Sequence, residues 1–185
     1  MTRMFDVVLS MFGLIFLAPL MAILFLIGFR ESGSPLFRQQ RVGRHQKAFI
    51  LVKFRTMRLD TASVATHLAS ASAVTRYGRF LRRSKLDELP QLWNVLKGEM
   101  SLVGPRPCLF NQHELIDARA ARHVFDARPG ITGLAQINGV DMSNPALLAE
   151  TDALMLENLS LIDYFKYILL TVLGRGAGDQ IRKGG

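Results

Sequence analysis

The chain has 185 residues, 49% of them hydrophobic, with 23 Lys plus Arg against 15 Asp plus Glu and a formal net charge of +8. That length suits one compact domain with at most a short appended element, and the single Cys108 excludes an internal disulfide and suits a reducing compartment. Excess cations on an apolar-rich chain point to an anionic membrane surface with phosphorylated ligands, or to nucleic acid; the scattered His45, His67, His113 and His123 have no zinc spacing.

The first element runs from Phe5 to Phe29 and holds one charge, Asp6. From Val7 onward it is about long enough to cross a bilayer as a helix. No small-residue cleavage site follows before Arg30, which sets a signal peptide aside. Pro19 removes a backbone donor near the middle of the run and bends it. Arg3 lies before the run and Arg30, Arg38, Arg41 and Arg44 lie after it, so the flanks favour keeping both ends on one side. A re-entrant helix-break-helix satisfies both features; a spanning helix is the alternative.

Gly33, Ser34 and Pro35 mark a turn, and apolar and basic residues alternate to Arg58. Phe49 to Phe54 reads as a strand, with Val42–Gly43 in a turn before it. Lys53 and Arg55 share one side of that strand, and two cations on one face suit a diphosphate. Leu59 to Thr75 is small and polar, a loop or weakly helical excursion. Tyr77 to Arg83 carries three arginines suited to surface or headgroup contacts.

Lys85 to Pro107, KLDELPQLWNVLKGEMSLVGPRP, is the centre of the chain. Leu89, Leu92, Trp93 and Leu96 fall at helical spacing, Pro90 suits the first turn, and Gly98 is a natural stop. This places Asp87 and Glu88 at the helix N-terminus. Acids there are common caps, and the same position also attracts phosphate. Trp93 suits either a core or the depth of lipid headgroups.

Leu109 to Asp126 reads as a solvated helix with Glu114, Asp117, Arg119 and Arg122. Arg128 to Val140 is punctuated by Gly130, Gly133 and Gly139, which allow close backbone approach to a ligand. Leu147 to Leu159 is helical. Ser160 to Leu173 sets Asp163 and Lys166 against Leu161, Phe165, Ile168, Leu169 and Val172, as in a core or interfacial helix.

Several stretches together resemble the bacterial sugar transferases, the small monotopic phosphoglycosyl transferases. They are RMFDVVLS (3–10), PLFRQQRVG (35–43), KFRTM (53–57), LRRSKLDELPQLWNVLKGEMSLVGPRP (81–107), RPGITGLAQING (128–139) and ENLSLIDYFKYILLTV (157–172). The resemblance implies an α/β, mainly α, membrane-associated domain with interfacial amphipathic helices and a small β element. Residues 1–30 would form the re-entrant anchor, 31–175 a catalytic domain on the cytoplasmic face of the bacterial inner membrane, and 176–185 a basic flexible tail. Lys85, Val140, Met155 and Ala18 depart from the pattern, which has Ser, Arg, an aromatic residue and Ser at those points.

The resemblance also implies a reaction. A UDP-sugar gives its sugar-phosphate to polyprenyl phosphate with release of UMP, the first membrane step of glycoconjugate assembly. Asp87 is the implied nucleophile and Glu88 the second acid, and the two are the implied ligands of Mg²⁺. Arg82 and Arg106 are the implied phosphate binders, with Lys53 a third candidate and Arg128, Gln136 and Asp163 weaker ones. An N-acetylated amino or diamino sugar is the expected donor, with a plain hexose as runner-up. Membrane phospholipid is an expected partner, nucleic acid is not, and a homodimer is left open. A non-enzymatic adaptor explains the charge and the anchor but not the Asp87–Glu88 pair beside the GPRP loop.

Overall fold

The computed structural model describes residues 2–60 and 73–176. Most of the polar stretch 59–75 and nearly all of the tail therefore lie outside the described residues. The architecture is mainly helical with two small two-stranded sheets.

Helices α1 (Thr2–Phe16) and α2 (Ala18–Ser32) meet at Leu17 and are bent by 62°. Helical bonding reaches the joint from both sides, Leu17 N–H to the Gly13 carbonyl and Met21 N–H to the Leu17 carbonyl. Pro19 stands in the first turn of α2, where its missing donor costs least. Among the described residues no single helix is long and apolar enough to cross a membrane, whereas the bent pair together has the required length and composition.

The one charge of the apolar run is buried. Asp6 Oδ1 accepts from Ser101 Oγ at 2.9 Å, Leu102 N–H at 2.8 Å and Tyr164 Oη at 2.8 Å. Arg3 donates to the carbonyls of Val95 and Leu96 at 2.7 and 3.0 Å. Helix α1 is thereby fastened to the rest of the fold through groups that hydropathy counts against it. Phe5 and Leu9 pack on the largest core cluster, built on Phe49, Leu51, Val95, Met100, Leu102, Val103, Met155, Tyr164 and Tyr167. Each fully buried apolar side chain of that cluster contributes about 1.5–3 kcal/mol, and the half-buried Phe5 and Leu9 contribute less.

Strands β1 (Leu36–Val42) and β2 (Ala48–Phe54) form an antiparallel hairpin in register from Leu36–Phe54 to Val42–Ala48. The predicted strand is β2; β1 was hidden by its arginines and glutamines. Helices α3 (Arg76–Ser84) and α4 (Gln91–Lys97) follow. Strands β3 (Ser101–Val103) and β4 (Gly130–Thr132) form a parallel pair. The expected solvated helix over 109–126 is instead α5 (His113–Ala120) and a short turn at Val124–Asp126. Its Arg119 is only 1% exposed, because it pairs with buried Asp152 of α7 (Pro145–Asn158), beyond α6 (Leu134–Ile137).

Helix α8 (Leu161–Val172) goes against the core alternative for this segment, because its apolar face is exposed. Its buried residues are Tyr164 and Tyr167, while Leu161, Ile162, Phe165, Leu169 and Val172 are exposed. Burial and the Asp6 carboxylate push the Tyr164 phenol above its ordinary value, and burial does the same for Tyr77 and Tyr167. The unfolded chain therefore loses these protons near pH 10 while the folded chain keeps them, so stability must fall as pH rises past that value. Thermal melts between pH 8 and 11 should show Tm dropping above about pH 10, with Tyr164→Phe flattening the drop. An unchanged slope in the variant would contradict this account.

Candidate active site

Asp87 and Glu88 do not begin α4. They lie in a separate 3-10 turn, Leu86–Glu88, between α3 and α4. Lys85 ends α3 in the left-handed conformation, φ 57°, and so turns the chain into it. Leu86 packs with Phe54 of β2, Leu81 of α3 and Leu24 of α2, which ties the turn to three elements. Residues in such a turn advance about 120° each, so neighbouring carboxylates face different ways. Asp87 is 3% exposed. Glu88 faces Arg106, whose Nη2 donates to Glu88 Oε1 at 2.9 Å.

Arg106 belongs to Gly104–Pro105–Arg106–Pro107, and every carbonyl of that loop is taken. Gln136 Nε2 donates to Gly104 O at 3.2 Å and Gly130 N–H to Pro105 O at 2.8 Å. Arg119 Nη1 donates to Arg106 O at 2.8 Å and Arg41 Nη1 to Pro107 O at 3.1 Å. Two prolines fix φ as well. The result is a rigid backbone that delivers one flexible cation to Glu88. Gly104 and Gly130 pack backbone to backbone, since a Cβ on Gly130 would lie 2.0 Å from Gly104 N. That closeness to the chain itself, rather than to a ligand, explains this glycine of the RPGITG segment.

The clamp on the loop is itself buried. Arg119 Nε and Nη2 both donate to Asp152 Oδ2, at 3.0 and 2.6 Å. Burial pushes the Asp152 carboxyl up while Arg119 pulls it back. On the other side, Asn94 joins α4 to β2, accepting from Val52 N–H and donating to Ile50 O. None of these contacts has a signature in one sequence, because each joins residues dozens of positions apart.

The remaining candidates divide. Arg82 Nε donates to Thr56 Oγ1 at 2.9 Å beside the 86–88 turn, and Lys53 is buried on adjoining β2. Lys85 lies within electrostatic reach of Glu88 and Arg106, and burial holds its ammonium below the usual lysine range. Gln136 reaches the site only through the Gly104 carbonyl. Arg55 is engaged elsewhere, donating to the carbonyls of Ser34 and Leu36. Arg128 holds the Gly98 carbonyl at the far end of α4. Asp163 and Ser160 cap α8 reciprocally, Ser160 Oγ donating to Asp163 Oδ2 and accepting from Asp163 N–H. Trp93 is 53% exposed and is no core residue.

The profile of the bacterial sugar transferase family matches residues 1–175. The chain is 39% identical over 171 residues to an uncharacterized sugar transferase, EpsL, of Bacillus subtilis, covering 92% of this chain and 84% of the relative. It is 39% identical over 182 residues to a UDP-glucose:undecaprenyl-phosphate glucose-1-phosphate transferase of Caulobacter vibrioides, covering 92% and 67%. It is 40% identical over 154 residues to an undecaprenyl-phosphate galactose phosphotransferase of Salmonella typhimurium; the match covers 74% of this chain but 32% of the longer relative. A buried carboxylate beside a Glu–Arg pair on an immobilised loop accompanies a match along nearly the whole chain, and on that match the chain belongs to the bacterial sugar transferases.

Proposed function

We propose that the protein transfers a hexose-1-phosphate from a UDP-hexose to polyprenyl phosphate, giving polyprenyl-diphosphate-hexose and UMP. The observation that carries this reading is the rigid GPRP loop holding Arg106 against Glu88, one residue from buried Asp87. Relatives named for undecaprenyl-phosphate sugar transfer support the reaction type. The expected N-acetylated amino or diamino sugar gains no support from them. Those whose names state a sugar name galactose or glucose, so the hexose is preferred.

In this mechanism an Asp87 carboxylate oxygen attacks the phosphorus bearing the sugar. The bond from that phosphorus to the bridging oxygen breaks, and UMP leaves with the electron pair. A polyprenyl phosphate oxygen then attacks the same phosphorus, the Asp87 oxygen–phosphorus bond breaks, and the carboxylate is regenerated. Splitting the transfer in two is covalent catalysis. Arg106 and Arg82, with Lys53 behind them, offset phosphate charge that would otherwise repel a carboxylate. Arg55, Arg128 and Asp163 are left out of the machinery because their polar groups hold backbone or a helix cap.

The donor set fits Mg²⁺ in a limited sense. Among the described residues no group of three or more His, Cys, Asp or Glu could hold a metal. Mg²⁺ in phosphate-transfer sites commonly uses one or two carboxylates and completes its shell with substrate phosphates and water. Because the two carboxylates face different ways, one of them, Asp87 or Glu88, would hold it together with substrate phosphates, and when bound it would neutralise diphosphate charge.

UMP release from a panel of UDP-sugars with Mg²⁺ and polyprenyl phosphate tests the activity. UDP-glucose or UDP-galactose should turn over at least about tenfold faster than the N-acetylated sugars, a difference of about 1.4 kcal/mol in the barrier. The reverse order would restore the amino sugar, and no release with any donor would favour the adaptor.

We also infer a monotopic placement on the cytoplasmic face of the inner membrane. The bent α1–α2 pair and its exposed Phe12, Ile15, Phe16, Ile23, Leu26 and Phe29 support it. Tags at residues 1 and 185 should both be cytoplasmic; tags on opposite faces would mean a spanning anchor.

A further inference from the structure

A cationic hollow lies on α3, apart from the Glu88–Arg106 contact. Arg76, Arg79, Phe80, Arg83 and Ser84 line an open depression of about 460 Å³. Positions 76, 79, 80 and 83 are spaced i, i+3, i+4 and i+7 and so share one helix face. The opposite face is clamped. Gly78 and Leu81 are buried, and a Cβ on Gly78 would lie 2.0 Å from the Thr56 carbonyl oxygen. Tyr77 Oη donates to the Leu24 carbonyl of α2 at 2.7 Å. The helix cannot roll to hide its arginines.

No carboxylate among the described residues pairs with Arg76, Arg79 or Arg83. Glu31 of α2, the acid at the start of α3, accepts from Thr75 Oγ1 instead. Three like charges within two turns repel one another unless an anion lies between them. Phe80 sits among them and is 55% exposed. An apolar ring surrounded by cations matches the boundary between lipid headgroups and acyl chains. Helix α2, packed on the opposite face of α3, exposes Ile23, Phe25, Leu26, Ile27 and Phe29.

We propose that this face of α3 seats the phosphodiester headgroups of anionic phospholipids, with Phe80 reaching the acyl boundary. The proposal rests on the membrane-anchored reading above. Its consequence is positional. Helix α3 ends at Ser84 and the Asp87 turn follows at once, so a headgroup held by Arg76, Arg79 and Arg83 sets the height of Asp87 above the bilayer.

The test uses the full chain in lipid nanodiscs. Trp93 is the chain's single tryptophan, so Trp93→Phe with Phe80→Trp leaves one reporter on α3. Brominated phosphatidylglycerol should quench it in preference to brominated phosphatidylcholine. That preference should fall by about fivefold for each of Arg76→Gln, Arg79→Gln and Arg83→Gln. Equal quenching by both lipids, or a preference that survives the triple replacement, would overturn the site. So would a preference abolished by inorganic phosphate but not by chloride of equal ionic strength, which would assign the site to free phosphate. A second reporter, Phe25→Trp with Trp93→Phe, separates the two readings. If both brominated lipids quench it while the α3 reporter fails, only the headgroup site falls; if neither does, the anchored placement falls with it.

Discussion

Asp87→Asn is expected to lower UMP release by at least about a thousandfold and to leave no phosphosugar attached to the protein. The amide keeps the shape of the carboxylate but loses its negative oxygen, so the first displacement has no nucleophile. Asp87 is nearly inaccessible to solvent in a turn packed against β2 and α3, and the isosteric change should not unfold that packing. Incubation with UDP-hexose followed by intact-mass measurement reads the outcome directly. Wild type should gain the mass of the phosphosugar; the variant should gain nothing. Glu88→Gln should differ in kind. It loosens Arg106 but leaves the nucleophile, so adduct should still form, more slowly. An Asp87→Asn protein that turns over at the wild-type rate would remove Asp87 from the mechanism.

The second large effect lies away from the reacting atoms. Asp152→Asn should cost about 3–5 kcal/mol of stability, because it strands the Arg119 guanidinium in a site closed to water. For a chain of this length that is a fall in Tm of about 6–20 °C. Asp152 Oδ1 is buried with no hydrogen-bond partner among the described residues, so the pair is imperfectly compensated to begin with. The double replacement Arg119→Met with Asp152→Leu should therefore recover much of the lost stability. It should not recover the rate, because the Arg106 carbonyl has still lost its donor and the loop can drift from Glu88. Melting temperature and kcat would then separate across the two variants. If the double replacement restored both, the pair would be a packing feature with no hold on the site.

Periodicity made the long elements legible. Helices α4, α7 and α8, strand β2 and the break before Pro19 follow from apolar spacing, Gly98 and proline chemistry. Strand β1 was not legible, because its core positions are filled partly by Gln39 and Arg41, buried through their bond to one another at 2.6 Å. Strands of three residues, such as β3 and β4, are too short to show any period. The Asp87–Arg106 region was legible as a motif, yet its acidic pair was misplaced by one element, since only Leu89 and Pro90, both in helical conformation, separate the 86–88 turn from α4. The arginines were the hardest to assign. A guanidinium looks the same in sequence whether it meets a diphosphate, as proposed for Arg106, or backbone carbonyls, as Arg55, Arg128 and Arg119 do. What distinguishes them is which carbonyls the fold leaves lacking a donor.

The buried Asp6 carboxylate has a consequence for the order of biosynthesis. Its partners are Ser101 and Leu102, 95 and 96 residues later, and Tyr164, 158 residues later. The first helix emerges carrying a charge whose last hydrogen-bond donor is translated near the end of the chain. Until then only the neighbouring cation Arg3, 4.0 Å from Asp6 Oδ2, offsets the charge, and on the proposed anchored placement the carboxylate keeps the start of α1 at a water-facing boundary. If α1 and α2 form the proposed anchor, the residue that ties α1 to the core also holds the start of α1 in water until Ser101, Leu102 and Tyr164 are in place to receive it.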